Sequence, residues 1–139
     1  MRLLDADTLT HLHAQHPRVV QRLRQCDDPE IGISIVTKAE VLRARCEFLL
    51  KAADGEQVLR AQHWLEVSEA LFLEMIIVPF DDGAARELKR LQNHKTAKNI
   101  GFADLLVASV ALANRAKLVT RNLRHFQQVP GLDFENWVD

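Results

Sequence analysis

Residues 101–113 read GFADLLVASVALA, a run that is apolar nearly all the way round a helix apart from Asp104 and Ser109. A helix of that composition has to be covered on most sides, so the remaining chain must surround it. Short strands alternate with helical patterns on either side of it. Leu3-Leu4, Ile31–Ile35, Met75–Val78 ahead of Pro79, and Lys117–Thr120 have the leucine or β-branched content of strands, with turn residues around them. Between them, Thr37–Ala53 has few helix breakers, and Val58, Ala61, Leu65, Ser68 and Phe72 recur at three- and four-residue steps. Ala84, Leu88 and Leu91 repeat that spacing after the turn Asp81-Asp82-Gly83. The alternation predicts an α/β fold, a central parallel β-sheet flanked by helices on both sides, with ligands bound beyond the carboxyl ends of the strands. At 139 residues and 47% hydrophobic content the chain can bury one core, and no linker, repeat or low-complexity tract divides it. A single domain over residues 1–139 is expected.

Composition removes several classes. No apolar run reaches the roughly 18 residues of a membrane helix, and the start lacks the order of a signal peptide, which predicts a cytoplasmic protein without a membrane partner. Cys26 and Cys46 form no CxxC pair, so they read as packing residues rather than zinc ligands or a disulfide. His11, His13 and His16 of HLHAQH are spaced by two and three, with no pair four apart, and read as surface polar residues. The net charge of −1 supplies no bulk positive field, so any polyanion must be met locally. Arg18, Arg22 and Arg24, then Arg43 and Arg45, Lys95 and Lys98, and Arg121 and Arg124 are grouped, and they read first as solvated faces.

Three carboxylates stand out against that background. In MRLLDADTLTHL, Asp7 or Thr8 serves as the N-cap of a following helix, which leaves Asp5 two or three positions too early, at the end of a strand. Glu40 fits a capping box, Thr37-Lys38-Ala39-Glu40, yet it also follows a strand by one helical turn. Asp104 lies in the first turn of the apolar helix, where the helix dipole contributes about 0.3–1 kcal/mol. Burying an unpartnered carboxylate costs several times that, so Asp104 needs a cation or strong donors nearby. Three acids at neighbouring strand ends repel one another unless a metal joins them, and three hard oxygen ligands suit Mg²⁺ or Mn²⁺.

These motifs, in this order, resemble those of the PIN-domain ribonucleases, and among them the VapC-like toxins of type II toxin–antitoxin pairs. LLDADTL is similar to the family's strand followed by Asp, SIVTKAEV to its S-x-x-T-x-x-E-L, and IGFADLLVASVALA to its I-G-x-x-D-x-x-I-A-x-x-A. LVTRNLRHFQQVPGLDFENW is similar to its L-V-T-x-N-x-x-x-F-x-x-V-P-G-L-x-x-x-x-W. The resemblance implies a PIN-like fold and Mg²⁺- or Mn²⁺-dependent cleavage of RNA, with Asp5, Glu40 and Asp104 as metal ligands and catalytic residues. Thr8 and Thr120 would orient ligands or water, and Arg121 and Arg124 would hold flanking phosphates. Where many relatives carry a fourth acid this chain has Asn122 and His125, so Asn122 takes the fourth catalytic place as an oxygen donor or a ligand to bound water. Ala44 replaces a common glycine. The VPGLDFENW ending is similar to a subgroup associated with initiator-tRNA cleavage.

Partners follow from the same reading. The stretch from Thr37 to Phe72, with Phe48, Trp64, Leu71 and Phe72, carries more apolar surface than one sheet face covers, which predicts a homodimer. A cognate antitoxin is expected to fill the acidic cleft with a basic side chain. Two alternatives compete. A PIN fold that only binds RNA or protein is one. A haloacid-dehalogenase-like phosphatase is the other, but D-A-D-T is one residue short of D-x-D-x-T, and 139 residues leave little room for that family's core and cap.

Overall fold

Leu3 and Leu4 are both fully buried on opposite faces of one strand, and the architecture follows from covering each. The structure, a computed structural model, describes residues 1–139. In chain order the elements are β1 (Arg2–Leu4), α1 (Ala6–His13), α2 (Pro17–Gln25), β2 (Ile31–Ser34), α3 (Ile35–Leu50) and α4 (Gly55–Glu74). They continue with β3 (Ile76–Val78), α5 (Asp82–Gln92), a 3₁₀ turn over Lys95–Ala97, α6 (Phe102–Ala113), β4 (Lys117–Val119), α7 (Leu123–Phe126) and β5 (Phe134–Glu135).

The five strands form one sheet in the order β3-β2-β1-β4-β5, every pair parallel, which puts β1 at the centre. Arg2 lies opposite both Ile31 and Lys117, and Leu4 opposite Val119. Because side chains alternate along a strand, the sheet sorts its residues into two cores. Leu3, Val78 and Leu118 join Leu91, Leu105, Ala108 and Phe126 under α5 and α6. Leu4, Ile33 and Val119 join Leu9, Val19, Val41, Phe72 and Trp137 under α1–α4. The expected sandwich of helices about a parallel sheet is therefore present, and α6 is buried along most of its length as its composition required. At Gly32 the neighbouring strand comes so close that a Cβ would sit 2.2 Å from the Ile76 carbonyl oxygen. No helix is long and apolar enough to cross a membrane.

Five local expectations need correction. The N-cap of α1 is Asp5, not Asp7 or Thr8. The N-cap of α3 is Ser34, whose hydroxyl accepts from the Thr37 amide at 3.0 Å, so there is no Thr37–Glu40 capping box. Helix α3 grows straight out of β2 one turn earlier than the box implied. His13 is buried, only 4% exposed, rather than on the surface, because α4 folds back over α1 and α3. Cys46 is exposed, not packed; Cys26 is half-buried. The hairpin of α3 and α4 does leave large apolar side chains in solvent, among them Phe48, Leu59 and Leu73. Phe72, expected among them, is instead in the core, where it meets the His13 ring edge-on.

Candidate metal centre

Asp5 is the first residue past the central strand, and three separate bonds fix it there. Its amide donates to the Val119 carbonyl (3.0 Å), continuing the β1–β4 pairing past the strand. Its Oδ1 accepts from the Thr8 amide (2.8 Å), which caps α1, and its Oδ2 accepts from the Thr120 hydroxyl (2.6 Å). The Thr120 oxygen in turn accepts from the Asn122 amide (3.0 Å), and the Thr8 hydroxyl donates to the Val119 carbonyl (3.2 Å). Thr8 and Thr120 are both fully buried. One carboxylate thus meets the capping demand of a helix and the site geometry together. Burial raises the Asp5 pKa above the ordinary carboxylate value, opposed by the Thr120 and Thr8 hydrogen bonds, while Asp7 pushes it up further.

Glu40 reaches the same place from the neighbouring strand. With Ser34 as cap, Glu40 falls in the second turn of α3, too far along to return to the cap amide, and its side chain faces the cleft. Its pKa is raised by burial first, then by the negative charges of Asp104 and Asp5. Asp104 comes from the first turn of α6, whose N-cap Gly101 offers no side-chain cap.

Asp5, Asp7, Glu40, Asp104 and Asn122 line a cleft of about 200 Å³ on an apolar floor of Ala6, Val107 and Phe126. No lysine or arginine lines it. Asn122 and His125 occupy the mouth: the Asn122 amide nitrogen lies 2.8 Å from His125 Nδ1, which is 3.3 Å from Asp104 Oδ2. His125 Nδ1 thus lies between the Asn122 amide and the Asp104 carboxylate. Asp7, expected as a cap or, in the phosphatase alternative, as the second acid, was not among the expected metal ligands, yet it lines the cleft beside Asp5.

The predicted rim residues divide. Arg121 sits between Thr120 and Asn122 but turns its guanidinium to the Asp139 carboxylate (Nε to Oδ2, 3.2 Å). Arg124, on α7, is exposed. His13 belongs elsewhere: its Nδ1 lies 3.3 Å from both Ser68 Oγ and Arg45 Nη2. Burial, then the Arg45 charge, lowers its pKa to about 4, so it is a neutral packing residue at pH 7.

The donor set fits a hard divalent cation: carboxylate oxygens from three elements, with the Asp104 and Asp5 charges raising the Glu40 pKa, and no lysine or arginine lining the cleft. The acids do not form a finished cage; no three of them close on one point as ready ligands.

Comparison with known proteins places this geometry in context. The family description "PIN domain" matches residues 2–132. The chain is 27% identical over 138 residues, 97% of its own length and 96% of the other, to Ribonuclease VapC1 of Haemophilus influenzae. It is 23% identical over 137 residues, 97% and 96% of the two lengths, to the tRNA(fMet)-specific endonuclease VapC of Salmonella typhimurium. Among solved structures, VapBC2 from Rickettsia felis, bound to a DNA fragment from its promoter, superposes with a TM-score of 0.78 at 26% identity, covering 98% of each chain.

Proposed function

The chain belongs to the PIN-domain family, and from that premise we propose that it is a Mg²⁺- or Mn²⁺-dependent endoribonuclease, the toxin of a toxin–antitoxin pair. One observation carries the reading. Asp5, Glu40 and Asp104, from three different elements, meet in a cleft lined by no lysine or arginine, an arrangement that costs stability unless a cation is to be held. When bound, such a cation would lower the pKa of a coordinated water and offset charge on the phosphate oxygens.

The chain's own residues do the rest. Asp5 is held rigid by Thr120 and Thr8, so its carboxylate presents fixed lone pairs to the cleft. Glu40 and Asp104 line the same cleft, and the raised Glu40 pKa suits it to take up a proton. Asn122 stands at the mouth, where its side-chain oxygen can accept from water or a ribose hydroxyl once the amide leaves His125. Arg121 and Arg124, both exposed and close to Asn122 in the chain, would hold phosphates on either side of the cut. RNA is the substrate class, and the similarity to a tRNA(fMet)-specific endonuclease makes initiator tRNA the first substrate to test. By analogy with the VapBC relatives, a cognate antitoxin neutralises the chain, its basic side chain occupying the acidic cleft. The protein works in the cytoplasm as a homodimer joined through the exposed apolar side chains of α3 and α4, and its 139 residues act as a single domain.

The test is incubation of the purified chain with total tRNA in Mg²⁺, in Mn²⁺ and in EDTA, with the RNA ends then sequenced. Discrete cuts that need the metal, and that vanish in Asp104→Asn, are expected. An intact RNA pool under all three conditions refutes the nuclease reading.

A further inference from the structure

Helix α2, PRVVQRLRQ, carries three arginines and no acid, and nothing in the catalytic reading uses it. Val19 is its only fully buried residue; Arg18, Gln21, Arg22, Arg24 and Gln25 are all exposed. Arg18, Gln21, Arg22 and Gln25 form the walls of a shallow groove with no apolar residue in it. An amphipathic helix that needed only solubility would mix charge signs; a single sign set among amides instead favours phosphate oxygens, which both guanidinium and amide groups can bond.

The groove is joined to the cleft by the last residues of the chain. Trp137 and Glu135 line a pocket together with Arg22 and Gln25, so the segment after β5 lies along α2. Beyond it, Asp139 reaches Arg121 at 3.2 Å, and Arg121 is flanked by Thr120 and Asn122 of the cleft. The Asp139 carboxylate also takes the Asn136 side-chain amide at 3.0 Å. Its pKa is lowered by that Asn136 bond, then, against slight desolvation, by the charge and hydrogen bond of Arg121 and the charge of Arg18. An exposed carboxylate bonded to Arg121 and to an amide donor, within the field of Arg18, makes the contacts a backbone phosphate would take.

Resting on the reading of this chain as an RNA-cutting enzyme, we propose that Arg121, Arg18 and Arg22 form a track for the single-stranded RNA backbone leading away from the cleft, and that Asp139 holds one phosphate position until the substrate displaces it. The net charge of −1 is then no obstacle, since the positive charge is concentrated where the strand runs. Contacts along the track position the strand and carry no sequence preference of their own.

The experiment measures binding of a fluorescein-labelled 12-nucleotide single-stranded RNA by anisotropy in EDTA, where metal-dependent cutting is off, across a salt series. Arg18→Ala/Arg22→Ala should weaken binding and flatten the log Kd against log salt slope by about 0.7 per lost contact. Asp139→Asn should tighten binding several-fold, and that gain should vanish in an Arg121→Ala background. Arg60→Ala, an exposed arginine on α4, serves as the bulk-charge control. The proposal is overturned by absence of binding at low salt, by an unchanged slope in the α2 variant, or by an equal loss in the control. It is equally overturned if an acidic peptide, and not RNA, competes for the groove. A chain that binds along the track but cuts no RNA in Mg²⁺ keeps the track and loses the nuclease; one that cuts tRNA with KM unchanged in the α2 variant does the reverse.

Discussion

Replacing Thr120 by valine removes one oxygen and leaves the buried volume nearly the same, so its cost reports on the bonds that oxygen makes. Thr120 is fully buried, donates to Asp5 at 2.6 Å and accepts from the Asn122 amide at 3.0 Å. A hydrogen bond to a charged acceptor contributes about 1.5–3 kcal/mol. The Asn122 amide adds little, since Asn122 is exposed and water can replace the lost acceptor. Thr8→Val is the internal comparison: it loses a 3.2 Å bond to a neutral carbonyl that still accepts from the Asp5 amide, a loss of about 1 kcal/mol. In EDTA at pH 7 the expected losses are therefore about 2–3 kcal/mol for Thr120→Val and about 1 kcal/mol for Thr8→Val, read from urea melts with a shared m-value. In melting temperature that is about 6–12 °C against 3–4 °C for a domain of this size. The Thr120→Val penalty should shrink below the raised Asp5 pKa, where the carboxyl is protonated and the lost bond is neutral. RNA cleavage should fall with it, because Asp5 loses one of its two fixing donors. A Thr8→Val loss as large as that of Thr120→Val, or a Thr120→Val loss under about 0.5 kcal/mol, would refute the reasoning.

Other expectations concern the remaining acids and the sheet. Glu40→Gln should abolish cleavage while leaving the EDTA-state protein as stable as the parent or more so, since it no longer carries a cap and sheds repulsion from Asp104 and Asp5. Because Glu40 and Asp5 both have raised folded pKa values, their favourable contribution is full below the unfolded pKa and is lost as pH rises through the folded one. The Glu40→Gln advantage should accordingly grow across that window in EDTA melts and be absent at the acid end. Millimolar Mg²⁺ or Mn²⁺ should raise the melting temperature of the parent by mass action, and by less in Asp104→Asn; no shift in either counts against the metal site. Gly32→Ala should cost about 3 kcal/mol or more, because the new Cβ would meet Ile76 backbone at 2.2 Å and force β2 from β3; a near-neutral melt would contradict that close approach.

Much of this was readable from residues alone, and the failures have local causes. The four longer strands and the buried helix are carried by period and composition, which survive tertiary context, so β1–β4 and α6 lie where expected. Strand β5 went unread because Phe134–Glu135 is two residues long between turns and has no alternation to detect. At α3 two overlapping cap signals competed, Ser34 with Thr37 and Thr37 with Glu40; the second is the better motif in isolation, but β2 ends at Ser34 and the chain turns there. Asp5 appeared too early for a cap only because the helix was expected to begin later than Ala6. The burial of His13 depends on α4 returning from more than fifty residues away, which no local window contains. The position of Asp139 against Arg121 is likewise a product of β5 closing the sheet edge.

The bond between Thr120 and Asp5 spans 115 residues of sequence, and β1 obtains its β4 neighbour only from that same late segment. A polypeptide is made from its amino end at a finite pace, and non-local pairings wait for both members to exist. During synthesis, then, the first acid is present almost from the start while its anchoring hydroxyl, the α6 acid and one side of its strand are still unmade. A chain stopped before β4 lacks one neighbour of the central strand as well as the Thr120 anchor. For the nuclease proposed above, the fold acts as a delay: the cleft is assembled only once the late strand β4 and Thr120 have been made.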